Sequence, residues 1–202
     1  MNVAVIDYGM GNIGSIINMM KKIGHQGTIV NNPNQLDDFD RIILPGVGSF
    51  DNAITKLDSL GFLEGLSRTV EREDMKLLGI CLGMQLLATG SEEGTMNGLN
   101  FIPGTVRKFQ LSPSFKVPHM GWNVVRPNSH NPLLNGLEVN KFYFVHSYYF
   151  EPDNPENAIG YTPYEVDFVS MVNSKNVSGA QFHPEKSHRY GMLLLKNFIE
   201  LL

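Results

Sequence analysis

Leu77-Leu78-Gly79-Ile80-Cys81-Leu82-Gly83-Met84-Gln85 decides how this chain is read. An apolar run of strand character breaks there at a Gly-x-Cys-x-Gly step and passes into the start of a helix. A side chain held at so sharp a strand-to-helix turn needs small neighbours on both sides, and Gly79 and Gly83 supply them, the arrangement of a nucleophile elbow. Cys81 is the only cysteine of the chain. Its thiol is placed at the start of the helix opened by Leu82, where unpaired backbone N–H groups and the positive helix end favour the thiolate, the form that attacks carbonyl carbon. A lone cysteine serves equally well as a small buried hydrophobe, so residues elsewhere have to decide between the two.

They do so in Gly179-Ala180-Gln181-Phe182-His183-Pro184-Glu185-Lys186-Ser187. His183 and Glu185 are two apart, a spacing that in an extended segment turns both side chains to one side. The carboxylate then accepts from one imidazole nitrogen while the other faces outward. Pro184 stiffens the step. Alone, this run also reads as a turn with two solvated polar residues. With an elbow cysteine about a hundred residues upstream, it completes a set of nucleophile, base and orienter.

Around these two stretches the first half alternates strands and helices. Strands are expected at Asn2–Asp7, Thr28–Val30, Arg41–Leu44 and Lys76–Ile80, with helices at Asn12–Ile23, within Ser49–Asp74 and behind Cys81. That alternation predicts a parallel α/β sheet. The second half is β-rich, with strands expected at Thr105–Phe109, Trp122–Val125, Lys141–Phe150, Ala158–Thr162, Phe168–Asn173 and Ser178–Phe182, then a helix through Tyr190–Leu201. These strands should extend or flank the parallel core. Arg126–Leu137 and Glu151–Asn157 read as surface loops.

With 202 residues, 42% hydrophobic and 18% charged, residues 1–202 read as one globular domain with a real core. No apolar run approaches the roughly 18 residues of a membrane span, and Met1 to Asp7 lacks the basic flank of a signal peptide. The compartment expected is the cytoplasm. A net charge of −4 gives no footprint for nucleic acid. His25, His130 and His188 have no partner at metal-ligand spacing, and no metal or cofactor is expected.

Gly9-Met10-Gly11-Asn12-Ile13-Gly14 matches the Gly-x-Gly-x-x-Gly fingerprint of dinucleotide binding, which makes a nucleotide-dependent oxidoreductase the rival from another reaction class. That fold wants an acidic residue closing the second strand. Here the strand ends in Val30-Asn31-Asn32, so glycines permitting a tight turn are the better reading.

Taken together with Asp7 to Asn12, Pro45-Gly46-Val47-Gly48-Ser49-Phe50, Lys116 to Asn123 and His146-Ser147-Tyr148, the two decisive stretches make the chain resemble the class I (triad) glutamine amidotransferases. Within them it is most similar to the glutaminase subunits of imidazole glycerol phosphate synthases. The resemblance covers nearly the whole chain and implies a three-layer, flavodoxin-like α/β fold with a mixed, largely parallel sheet. It implies hydrolysis of L-glutamine to glutamate and ammonia by Cys81, His183 and Glu185, with an oxyanion hole from the N–H groups of Leu82 and Val47.

For glutamine itself the resemblance implies side-chain contacts from Gln85 and Glu93 and backbone contacts from Gly48, Ser147 and Tyr148. Glu92, next to Glu93, is an open alternative for the ammonium. The implied partner is a (β/α)8-barrel cyclase in a heterodimer, met by Asn12, Lys116, Pro118, His119, Trp122, Asn123 and Lys186. Paralogues that supply ammonia for amidino groups on bacterial surface sugars carry the same motifs.

Overall fold

The computed structural model describes residues 2–128 and 131–202; His130 lies outside them. The first half runs β1 (Val3–Ile6), α1 (Ile13–Lys22), β2 (Gly27–Val30), β3 (Arg41–Gly46), α2 (Phe50–Ser59), α3 (Phe62–Val70), β4 (Lys76–Cys81) and α4 (Leu82–Gln85). The second runs β5 (Gly90–Ser91), β6 (Gly104–Lys108), β7 (His119–Val124), β8 (Arg126–Pro127), β9 (Lys141–His146), β10 (Tyr148–Pro152), β11 (Ala158–Pro163), β12 (Asp167–Ser174), β13 (Val177–Ala180) and α5 (His188–Glu200).

β1 and β3 are buried along their whole length, the signature of strands covered on both faces. Their side chains alternate accordingly. Ala4, Ile6, Ile42 and Leu44 pack with Phe50, Ile54, Leu57, Phe62 and Leu66 of α2 and α3. Val3, Val5 and Ile43 pack with Ile16 and Met20 of α1 and Leu194, Leu195 and Phe198 of α5. Two helical layers therefore sandwich one sheet. α1 earns its place by the spacing of Ile16, Met19 and Met20, which share one helical face.

The sheet order is β2-β1-β3-β4-β13-β12-β10-β6-β5. β2, β1, β3, β4 and β13 are mutually parallel, and β12, β10 and β6 continue antiparallel from β13. This is the mixed, largely parallel sheet that was expected. β13 sits directly beside β4, so the strand ending in Cys81 and the strand leading to His183 are neighbours.

Two expectations need correction. Lys141–Phe150 is not one strand: it breaks at Ser147, and β9 pairs with β7 in a separate two-stranded sheet while β10 joins the main one. The stretch Arg126–Leu137 is not simply a surface loop either. Leu133 and Leu134 are buried, and Asn197 of α5 donates to the Leu133 and Asn135 carbonyls at 3.1 and 2.8 Å. An apolar pair too short to show periodicity anchors it.

Candidate active site

β3 and β4 end side by side, with Gly46 opposite Cys81. Cys81 takes φ 54° and ψ −110°, a conformation that L-residues rarely adopt and that costs on the order of 1–3 kcal/mol. Glycine makes the bend possible. A Cβ on Gly83 would overlap the Leu44 carbonyl oxygen, and one on Gly79 would lie 2.6 Å from the carbonyl oxygen of Gly83. The helix that follows is a single turn, so the macrodipole expected to favour the thiolate is short. The charge beside the sulfur comes instead from His183.

His183 Nδ1 bonds Glu185 Oε1 at 2.8 Å, with both side chains 3% exposed. The segment is not extended as expected. His183 itself has extended backbone, but Pro184–Lys186 forms a 3-10 turn that swings Glu185 back under the ring. The turn is clamped: Ser187 Oγ donates to the His183 carbonyl at 2.6 Å and accepts from the Tyr143 N–H at 3.0 Å. Burial alone would lower the His183 pKa, but the hydrogen bonds and charges of Cys81 and Glu185 outweigh it and raise the imidazole to about 10. His183 therefore stands protonated beside the Cys81 sulfur at neutral pH.

Cys81, His183, Val47, Gly48, Leu82, Gln85, Glu93, Ser147 and Tyr148 all line one cleft of about 350 Å³, together with Pro118, His146 and Lys186. Such a volume suits a small amino acid. The expected nucleophile, base and substrate residues are thus brought together. Glu93 accepts from the Phe50 N–H at 2.9 Å, which holds its carboxylate at the cleft. Glu92 is engaged elsewhere, with Arg107 at 3.0 Å and the Lys108 N–H at 2.8 Å.

The backbone of Ser147 and Tyr148 is tied into the protein beside the cleft. The Ser147 carbonyl accepts from the Phe109 N–H, and the Tyr148 carbonyl accepts from Gln85 Nε2 at 3.1 Å and from His146 Nδ1 at 2.7 Å. The Tyr148 carbonyl thus has both lone pairs engaged, whereas the Ser147 carbonyl keeps one. Gln85 gives its other N–H to Gln181 Oε1 at 3.0 Å, and its Oε1 has no hydrogen-bond partner among the described residues.

Three participants were missed in the sequence. Gln181, fully buried, places Nε2 3.8 Å from the Cys81 sulfur. It sits in a motif singled out for His183, and only its position two residues before that histidine hinted at it. Tyr8 packs its hydroxyl against Gly46, buried and with no hydrogen-bond partner among the described residues, and burial and the neighbouring Cys81 push its phenol pKa up. His146 lines the cleft.

Of the residues expected at a partner face, Asn12, Lys116, Pro118, Trp122 and Lys186 are exposed. His119 is turned away from that face, and Asn123 is half-buried beside it. His119 is 4% exposed and bonds His146 at 2.9 Å, and Asn123 donates to the Pro163 carbonyl at 2.7 Å. Along β7 side chains alternate, so His119 turns inward while Met120 and Trp122, 61% and 40% exposed, turn outward. Trp122 stacks on the exposed His188, at 5.6 Å between ring centroids.

Residues 4–201 match the family described as glutamine amidotransferase class-I. The chain is 51% identical over 199 residues, 98% of each sequence, to imidazole glycerol phosphate synthase subunit HisH 2 of Methanococcus maripaludis. It is 42% identical to the protein of the same name from Pseudomonas aeruginosa, over 99% of this chain and 100% of that one. Among solved structures, a glutamine amidotransferase superposes with a TM-score of 0.77 at 18% identity, covering 100% of this chain and 98% of that one.

Proposed function

This chain belongs to the class I glutamine amidotransferase family, and from that premise we propose that it is the glutaminase subunit of an imidazole glycerol phosphate synthase. The observation that carries the chemistry is the Cys81, His183 and Glu185 constellation within one cleft. The Cys81 thiolate attacks the side-chain amide carbon of glutamine, and the carbonyl electron pair moves onto oxygen. The N–H groups of Leu82 and Val47 hold that oxyanion, each donor being worth about 3–4 kcal/mol of barrier. His183 gives its proton to the departing nitrogen, so ammonia leaves and a thioester remains. Water then attacks the thioester, its proton passing to His183, and glutamate leaves as the thiolate returns.

Glu185 orients His183 and supports its charge. Glu93 faces the substrate ammonium. Ammonia released into neutral water would take a proton and lose its nucleophilicity, so a glutaminase serving a synthesis needs a partner that receives it directly. The relatives named as synthase subunits support a barrel cyclase in that role, meeting the face of Pro118, Met120, Trp122 and Lys186.

The test is Cys81→Ala in the assembled synthase. Glutamine-dependent product should vanish, while product from added ammonium salt persists because ammonia then bypasses the first site. Retained glutamine use by Cys81→Ala would overturn the assignment. A second reading changes only the acceptor, because every residue of the cleft acts on glutamine. Amidination of a surface sugar uses the same glutamine chemistry, and assaying both acceptors with the same partner separates the two.

A further inference from the structure

Asn123 is locked by two bonds. Its Oδ1 accepts from the Val124 N–H at 2.8 Å and its Nδ2 donates to the Pro163 carbonyl at 2.7 Å, so the amide cannot be turned over. The second N–H of that amide faces His119 Nε2 at 3.2 Å, which makes this ring nitrogen an acceptor without a proton. The His119 proton is therefore on Nδ1, 2.9 Å from His146 Nε2, which must accept in turn. That puts the His146 proton on Nδ1, 2.7 Å from the Tyr148 carbonyl, a group that can only accept.

Read from the amide or from the carbonyl, the chain gives the same assignment. A further proton on either ring would set N–H against N–H. The rings of Phe109, Phe144 and Phe168 enclose the pair, and in such surroundings a satisfied polar chain is rigid while an unsatisfied one is costly. Burial lowers His119 to about 4 and, with the nearby charges of His119 and His183 added, His146 to about 3.

We propose that His119 and His146 are positioning residues: a neutral hydrogen-bonded pair of fixed direction that sets the Tyr148 carbonyl and, through it, the Gln85 side chain of the glutamine cleft. The Tyr148 carbonyl takes one N–H from His146 and one from Gln85, and Gln85 continues to Gln181 beside the Cys81 sulfur. With both N–H groups engaged, Gln85 can offer the cleft only its carbonyl oxygen. Losing the His146 donor frees Tyr148 and lets Gln85 rotate, a fault in substrate binding more than in bond breaking. That consequence rests on the glutaminase reading; the direction of the pair does not.

Nitrogen-15 NMR of the imidazole rings in the unaltered full chain tests the direction. Both histidines should carry their proton on Nδ1 at neutral pH, with both Nε2 atoms unprotonated, and should stay so on acidification to pH 5. A proton on either Nε2, or a charged ring at neutral pH, overturns the proposal whether or not any variant folds. Kinetics of glutamate formation in the assembled protein test the consequence. His146→Gln, which loses the donor to Tyr148, should raise KM for glutamine about tenfold, the worth of one buried hydrogen bond, and more than it lowers kcat. His146→Asn, which keeps a donor at the Nδ1 position, should recover most of that loss. Equal KM values in both variants, or a loss confined to kcat, overturn the positioning role. No glutamate formation by the unaltered protein would instead sink the glutaminase reading and leave the NMR result standing.

Discussion

Glu185 divides its carboxylate: Oε1 accepts from His183, whereas Oε2 is buried and has no hydrogen-bond partner among the described residues. Its negative charge is therefore answered chiefly by the imidazolium. Glu185→Gln should bring the His183 pKa down from about 10 toward the ordinary imidazole value, moving the alkaline limb of the kcat/KM profile to lower pH. The rate loss should be smaller than that of His183→Ala, for which a missing general acid-base predicts a drop of about 10² to 10⁴. Equal losses from the two changes would show that Glu185 does more than orient and charge its neighbour. Glu93 and Glu92 make a second contrast. Glu93→Gln should raise KM for glutamine by at least tenfold, about the effect of one charged hydrogen bond, and Glu92→Gln should leave it unchanged because that carboxylate serves Arg107 and Lys108. The residues proposed as nucleophile, base and orienter were legible because each sits in a short motif whose residue types have a chemical reason. Gln181, Tyr8 and the inward turn of His119 were not, since each depends on which neighbour the fold brings near.

The elbow between β4 and α4 is the element on which the site depends. A side chain at Gly83 would meet the Leu44 carbonyl, which is backbone of the adjacent strand and cannot move aside. Gly83→Ala should destabilise the protein by roughly 3 kcal/mol, lowering Tm by about 6–12 °C in a thermal melt. An unchanged Tm would mean that the strands separate more readily than their packing suggests. Elements of this half were readable in advance, because long apolar runs buried on both faces and a helical stripe such as Ile16, Met19 and Met20 leave a strong periodic signal. Short elements left none. β5 and β8 have two residues each, too few for any pattern, and the break at Ser147 between two strands of similar composition is set by pairing partners far away in the chain. The 3-10 turn at Pro184 was misread as extended because residues two apart satisfy either geometry.

Across the whole molecule, buried histidines of opposite sign shape stability against pH. His119 and His146 have folded pKa values of about 4 and about 3 against an ordinary 6.5, so an unfolded chain takes up protons that the folded one refuses. Their contribution is present above pH 6.5 and is lost as pH falls toward 4. His183 runs the other way: raised to about 10, it stabilises fully below pH 6.5 and its contribution is lost as pH rises through about 10. Urea midpoints should therefore peak near neutrality, and His183→Gln should flatten the alkaline side while the acid side remains. A midpoint that keeps rising above pH 8 would contradict this. On the outer surface, Met120→Ala should weaken binding of the proposed partner at least tenfold without altering the thermal melt, as expected of an exposed apolar anchor. The pairing of β4 with β13 carries one more consequence, in the time order of synthesis. Until the ribosome has made Val177–Ala180, the apolar strand ending in Cys81 has one open edge and the thiol has no His183 beside it. A nascent chain that has already folded its thiol-bearing half cannot hydrolyse glutamine, and its exposed Leu77–Cys81 edge is the segment a chaperone would have to guard.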